Sequence, residues 1–197
     1  MVITTRSTSK TTTAAYASAI TPQGPRRHAI SIFGCTGNAG RAVAYQVIKS
    51  ACINKSPNND INIALSGRNK SKIENVLEGI KTELNNEGIK LPTTTQVDIV
   101  IADTTDQPSM LNLAKSTNIL ISCAGPYGKY GEAAVKACIE GGSHYVDITG
   151  EVAFIEAMIS DYGSLAEERG VTLCPFSGYD CVPSEIGMFL VGRALEQ

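Results

Sequence analysis

The sequence predicts an α/β fold built on a doubly wound parallel sheet with helices on both faces. One observation is that short β-branched apolar runs alternate with longer segments of helical period from residue 28 onward. Another is that six such runs occur in strict alternation, which favours right-handed crossovers and the strand order 3-2-1-4-5-6. The predicted strands cover residues 28–33, 61–66, 96–102, 118–123, 144–148 and 171–174.

The segments between these strands carry apolar residues three and four positions apart, as expected of helices that pack one face inward. The pair Gly141-Gly142 and Gly170 follow two of these segments and predict helix ends, because glycine readily adopts the left-handed conformation. A final apolar stretch, residues 186–195, has Pro183 just before it as a helix start. We therefore expect a sheet domain over residues 28–182 and a helix over 183–197 that leads into a further, substrate-binding domain.

The first residues have a different composition from the rest of the chain. No Asp or Glu occurs before Asp60, whereas several Arg and Lys residues do, and residues 1–27 are rich in Ser and Thr without a sustained apolar period. Such a segment buries too little apolar surface to offset ordering, so we predict a disordered basic leader over residues 1–27. The same composition also fits an organelle transit peptide, and that alternative stays open.

Charge and composition exclude several classes of function. A net charge of −2 gives no overall attraction to nucleic acid, so a small-molecule partner is favoured. No apolar run is long enough to span a bilayer. The six cysteines are scattered without a CxxC pair or a histidine cluster, which argues against a metal site and favours buried thiols in a reducing compartment such as the cytoplasm.

A glycine-rich turn follows the first strand directly and precedes a helical segment. It reads Gly34-Cys-Thr-Gly-Asn-Ala-Gly40. The first glycine permits the tight turn, the second allows the backbone to approach a pyrophosphate, and the third allows the helix and strand to pack closely. The order strand, turn and helix predicts a Rossmann-type dinucleotide-binding domain. Its predicted phosphate-binding residues are Gly34, Thr36, Gly37, Asn38, Ala39 and Gly40.

The end of the second strand indicates which nicotinamide cofactor is bound. NAD-dependent enzymes place a carboxylate there to accept hydrogen bonds from the ribose 2′-hydroxyl. This strand ends in Ser66-Gly67-Arg68-Asn69, which offers no acid and one arginine. A guanidinium suits a 2′-phosphate, so Gly67 and Arg68 favour NADP over NAD. In the alternative interpretation, Arg68 is only a solvated residue at a helix start, a place where the helix dipole disfavours a cation.

The ends of the third and fourth strands supply further candidate residues. Asp103 follows the third strand and is our candidate to bind the adenine amino group, whereas Asp106 is placed to cap the next helix. Ala124, Gly125 and Pro126 follow the fourth strand, where small residues allow the backbone to pass close to the nicotinamide ribose.

Five segments of the chain together resemble the saccharopine dehydrogenase-like oxidoreductases, a family that includes bacterial trans-acting enoyl reductases. The segments are residues 34–40 (GCTGNAG), 64–69 (ALSGRN), 125–132 (GPYGKYGE), 144–151 (HYVDITGE) and 177–184 (SGYDCVPS). The chain departs from the family at Asn38, where an aromatic residue is usual. The resemblance implies a Rossmann domain followed by a substrate domain, in a protein about twice this length, with animal members associated with lipid droplets, mitochondria or membranes.

The resemblance also implies a reaction. We expect NADP-dependent hydride transfer to a C=C or C=N bond of a small or lipid-like acyl substrate, with orientation and a proton donor supplied by the protein. No catalytic residue is identified, although Tyr127, Tyr130, His144 and Asp180 are expected near the carboxyl ends of strands. The alternative is a catalytically silent cofactor-binding protein with a regulatory role at a lipid or membrane surface. The oligomeric state is left open.

Overall fold

A computed structural model of the protein describes residues 26–54, 61–92 and 95–196. Within these ranges six strands form one parallel sheet in the order β3-β2-β1-β4-β5-β6, which confirms the predicted fold class and strand order. The strands are β1 (His28–Phe33), β2 (Ile63–Gly67), β3 (Val97–Ile101), β4 (Thr117–Ser122), β5 (His144–Asp147) and β6 (Leu173–Cys174).

A helix follows each strand, as the apolar periodicity predicts. The helices are α1 (Asn38–Ile53), α2 (Lys70–Asn86), α3 (Gln107–Ser116), α4 (Tyr127–Gly141), α5 (Val152–Glu168) and α6 (Val182–Leu195). The glycines after α4 and α5 adopt the left-handed conformation expected at helix ends, with φ of 71° at Gly142 and 64° at Gly170. β6 begins at residue 173 instead of 171, because the Val171 N–H donates to the Ala166 carbonyl at the end of α5.

The sheet separates two apolar clusters, because alternate strand residues point to opposite faces. In β1, Ile32 packs in the cluster formed with buried residues of α1 and α2, and Phe33 packs in the cluster formed with residues of α3, α4 and α5. The chain therefore covers one face of the sheet with its first two helices and the other face with the next three. In doubly wound folds a ligand binds outside the carboxyl ends of the strands.

The folded domain includes Arg26 and Arg27, which we had placed in the leader. The guanidinium of Arg26 donates hydrogen bonds to the carbonyls of Ala114, Thr117, Gly141 and Gly142 at 2.7–3.0 Å. These carbonyls lie at or next to the carboxyl ends of α3 and α4, where helix carbonyls lack partners and a cation is favoured. The assignment of Arg26 to a disordered leader is therefore wrong. The rest of the predicted leader, residues 1–25, lies outside the described ranges.

Replacing Arg26 with alanine is expected to lower the free energy of unfolding by about 2 kcal/mol, because partly buried carbonyls at two helix ends lose their donor. Arg27→Ala is the matched control. The Arg27 side chain is 69% exposed and forms one ion pair with Asp98, so its loss should cost less than about 1 kcal/mol. Urea unfolding of both variants measures the difference, and equal destabilisation would contradict the capping role of Arg26.

The last helix differs from the others because apolar side chains are exposed along its length. Those of α6 are Val182, Ile186, Met188, Phe189, Leu190, Val191 and Leu195, each at least 40% exposed. Throughout the described ranges, no helix combines the length and apolarity needed to cross a membrane. The predicted helix is thus present, and its role as a link to a substrate domain stays a prediction.

Candidate functional site

The glycine-rich turn lies between the ends of three neighbouring strands. Gly34 follows β1 with φ of 81°, and its N–H donates to the Ser66 carbonyl in β2 at 2.9 Å. On the other side, a Cβ at residue 34 would come within 2.9 Å of the Ala124 nitrogen, just after β4. Both the positive φ and this close approach require glycine. The turn therefore contacts the end of β2 and the loop that follows β4.

The other two glycines of the turn have different surroundings. A Cβ at Gly40 would stand 2.1 Å from the Gly34 carbonyl oxygen, so only glycine lets α1 pack this closely on the turn. A Cβ at Gly37 would meet only that same oxygen, at 3.6 Å, which is an ordinary contact. Gly37 is exposed, and its φ of −80° suits any residue. A ligand that needs close backbone approach would explain a glycine at this position.

The amino terminus of α1 offers unpaired donors to such a ligand. Among the described residues no backbone carbonyl accepts from the N–H groups of Asn38, Ala39 or Gly40. The cap residue, Gly37, has no side chain to accept them, and the first turn contains no acid. The positive end of the helix dipole is thus uncompensated at an exposed turn that also includes Thr36. This arrangement favours an anion such as a pyrophosphate.

Arg68 follows β2 directly and is exposed beside this turn. Asn69 caps α2 by accepting a hydrogen bond from the Lys72 N–H at 3.0 Å, so Arg68 is not needed to start the helix. No hydrogen bond or ion pair of Arg68 occurs among the residues that the structure describes. The pKa of Asp103 is lowered mainly by two hydrogen bonds from Thr105, and the positive charge of Arg68 adds to this effect. Arg68 and Asp103 therefore lie near each other at neighbouring strand ends.

Of the two aspartates after β3, Asp106 departs from its predicted role, whereas the predicted role of Asp103 is not tested. Asp103 Oδ1 accepts hydrogen bonds from the N–H and the hydroxyl of Thr105, both at 2.9 Å, and so stabilises its own loop. Its contact with adenine stays a prediction. Asp106 precedes α3, but its side chain makes no capping bond, so that prediction is wrong. Instead the Ser109 hydroxyl, in the first turn of α3, donates a hydrogen bond back to the Asp106 carbonyl at 2.7 Å.

The loop after β4 completes the crevice. Ala124 lies beside Gly34 and is followed along the chain by Gly125 and Pro126, and the loop is held by a 2.8 Å hydrogen bond from the Cys123 N–H to the Phe33 carbonyl. β2 lies on one side of β1 in the sheet and β4 lies on the other. The strand order therefore reverses between β1 and β4, where this loop and the glycine-rich turn meet. Doubly wound folds bind their ligands at that point.

The four side chains expected near the carboxyl ends of strands have different surroundings. Tyr127 is buried, its hydroxyl donates to the Ser122 carbonyl at 2.9 Å, and burial raises its pKa. Tyr130 is half-buried in α4 and Asp180 is exposed. His144 is the first residue of β5, at the opposite edge of the sheet, where its Nδ1 accepts from the Thr172 N–H at 3.0 Å. The expectation for His144 is therefore wrong, because His144 begins β5 and so lies at the amino end of its strand.

Asp147 and Glu151, which belong to the segment 144–151, hold the loops at the carboxyl end of the sheet in place. Asp147, fully buried at the end of β5, accepts from the N–H groups of Thr149 and Phe176 and from the Tyr145 hydroxyl, at 2.8–3.2 Å. Burial raises the pKa of Asp147, and these three donors oppose that effect. Glu151 accepts two N–H groups at the start of α4. The spacing of acids after a strand was the available signal in the sequence.

Comparison with known proteins identifies the family. The model of the saccharopine dehydrogenase NADP binding domain matches residues 30–174, which run from β1 through β6. The chain belongs to the saccharopine dehydrogenase-like oxidoreductase family. Within this family, a mouse saccharopine dehydrogenase-like oxidoreductase is 34% identical over 157 residues, which are 80% of this chain and 35% of the mouse protein.

Two other relatives of this family carry more specific names. A lipid droplet localized protein of Caenorhabditis elegans is 31% identical over 82% of this chain and 35% of its own length. A trans-acting enoyl reductase of Mycobacterium bovis is 26% identical over 85% of this chain and 36% of its own length. The chain thus spans about a third of the length of the relatives it matches, and the part matched is the NADP-binding domain.

Proposed function

We propose that this protein binds NADP(H) in preference to NAD(H), at the crevice between the glycine-rich turn and the loops after β2, β3 and β4. The observation that carries the proposal is a combination at the carboxyl ends of β1 and β2. Among the described residues, the first amides of α1 have no acceptor, and the end of β2 has no acid and an arginine that makes no hydrogen bond or ion pair. The proposed binding residues are Gly34, Thr36, Gly37, Asn38, Ala39, Gly40, Gly67, Arg68, Asp103, Ala124, Gly125 and Pro126.

The residues present fit a dinucleotide phosphate at both charged positions. The N–H groups of Asn38, Ala39 and Gly40 would donate to the pyrophosphate, and Gly37 leaves room for its approach. Arg68 would pair with the 2′-phosphate through its guanidinium. The small residues after β4 keep the other half of the crevice clear.

We further propose that the protein is a reductase. The bound nicotinamide would supply a hydride, hence two electrons, to a C=C or C=N bond, and a proton from an acid or from water would complete the reduction. The chain's own contribution is to hold the phosphates at α1 and to orient the ring side of the cofactor by the loop after β4. The name of the mycobacterial relative supports an enoyl group on an acyl chain as the substrate class.

Spectrophotometry tests the proposed reaction directly. The full-length protein, with the substrate domain predicted to follow α6, is incubated with NADPH and either medium-chain enoyl thioesters or imino acids, and the nicotinamide absorbance is followed. Oxidation of NADPH that depends on one substrate class is the expected result. NADPH binding by calorimetry without oxidation in the presence of either class would reject turnover of these substrates and leave the cofactor assignment standing.

The second candidate function is a catalytically silent, NADP-binding role at a lipid surface. The exposed apolar side chains of α6 favour it, because large apolar groups in contact with water mark interaction sites. The name of the nematode relative points the same way. Flotation with phosphatidylcholine-coated triolein droplets tests this role. The role is supported if the wild-type protein floats with the droplets and the Phe189→Ser variant does not. It is rejected if the wild-type protein stays in the aqueous fraction.

A further inference from the structure

The carboxylate of Glu151 closes the amino terminus of α4. Its Oε1 accepts a hydrogen bond from the Tyr127 N–H at 2.7 Å, and its Oε2 accepts one from the Gly128 N–H at 2.9 Å. Glu151 itself stands just before α5, so the contact joins two helices through residues more than twenty positions apart. A carboxylate in this place satisfies free helix donors and balances the positive end of the helix dipole.

Two glycines of α4 leave the space that this contact needs. A Cβ at Gly128 would lie 3.0 Å from Glu151 Oε2, so the glycine leaves room for the carboxylate. A Cβ at Gly131 would come within 2.6 Å of the Phe154 ring, so glycine is also what allows α4 and α5 to approach each other. The backbone of Glu151 is fixed in turn by a 3.0 Å hydrogen bond from its N–H to the Thr149 hydroxyl.

The first turns of α1 and α4 both lie at the carboxyl edge of the sheet, on either side of the point where strand order reverses. Each could attract a phosphate. At α1 the donors of the first turn are free and no acid is near them in sequence. At α4 two donors already bind Glu151. The two helices therefore offer unequal sites to an anion.

Building on the proposed function, we propose that Glu151 is a positioning residue for the dinucleotide. It holds the start of α4, and through it the adjoining loop 124–126, in the place that the nicotinamide half of the cofactor needs. It also occupies the first N–H donors of α4, so that the pyrophosphate binds at the free donors of α1 instead. Glu151 acts through the backbone of Tyr127 and Gly128 and is not expected to touch the reacting atoms.

The test compares Glu151→Gln with Glu156→Gln, which removes the same charge from an exposed position in α5. Glutamine keeps one acceptor but turns an amide donor toward an N–H group. Calorimetry with Glu151→Gln should show about 5- to 20-fold weaker NADPH binding, because the cofactor must then order a loop that has lost one charge-assisted hydrogen bond. Binding of 2′,5′-ADP, which lacks the nicotinamide half, should stay within about twofold. Glu156→Gln should leave both ligands within about twofold of the wild type.

A second variant covers the case that Glu151→Gln does not fold. Gly128→Ala places a methyl group against Glu151 Oε2 and should displace the carboxylate without removing its charge. The same selective loss of NADPH binding is expected. Equal weakening of NADPH and 2′,5′-ADP with a lowered melting temperature, or no change in either ligand, would overturn the positioning role. Failure of the wild type to bind NADPH would overturn the proposed function itself, together with this inference.

Discussion

Replacing Arg68 with alanine is expected to weaken NADPH binding about 10- to 150-fold and to leave NADH binding almost unchanged. A guanidinium on the 2′-phosphate makes one or two charge-assisted hydrogen bonds, worth roughly 1.5–3 kcal/mol in total, and about 1.4 kcal/mol corresponds to a tenfold change in affinity. NADH lacks that phosphate. Because Arg68 is exposed and Asn69 already caps α2, the substitution should leave the fold intact.

Titration calorimetry of both cofactors, with wild type and variant, measures these affinities. Salt should reduce the wild-type preference for NADPH, because the proposed ion pair is exposed and screened. Lys72→Ala provides a control, since it removes a positive charge from the exposed start of the same helix but keeps the backbone N–H that Asn69 binds. Equal wild-type affinity for NADH and NADPH, or an equal loss of both in Arg68→Ala, would show that Arg68 does not select the cofactor.

The second large effect concerns the glycines of the turn, which should separate binding from folding. Gly37→Ala adds a methyl group that meets only the Gly34 carbonyl at 3.6 Å, so the free energy of unfolding should change by less than about 1 kcal/mol. The methyl group would nevertheless stand where a phosphate approaches the backbone. We expect both NADPH and NADH to bind at least about 30-fold more weakly, since the pyrophosphate is common to both.

Gly40→Ala serves as the matched comparison. Its methyl group would lie 2.1 Å from the Gly34 carbonyl oxygen, and the packing of α1 on the turn must then open. Destabilisation by about 3 kcal/mol or more is expected, together with loss of cofactor binding. Urea unfolding and calorimetry distinguish the two variants. A Gly37→Ala protein that binds both cofactors as tightly as the wild type would remove the turn from the proposed site.

A structural feature is predictable from the sequence when the residues that form it lie close together along the chain. The alternation of apolar periods, the glycines of the turn and the glycines at helix ends are local signals, and they predicted the strand order and the ends of α4 and α5. Arg68 could be placed at the end of β2 for the same reason, because the parallel sheet brings all strand ends to one edge. His144 was expected at the carboxyl end of a strand, but it is the first residue of β5 and lies at the opposite end of that strand.

By itself, the sequence determined the fold class, the glycine-rich turn and the basic residue beside it, because backbone periodicity and glycine conformation are properties of neighbouring residues. Only the tertiary structure decided what the polar side chains bind. Arg26 reaches carbonyls 88 to 116 positions away, and Glu151 reaches amides 23 and 24 positions away. Such pairs form because packed helices bring their unpaired ends to particular side chains, and no local pattern specifies that arrangement.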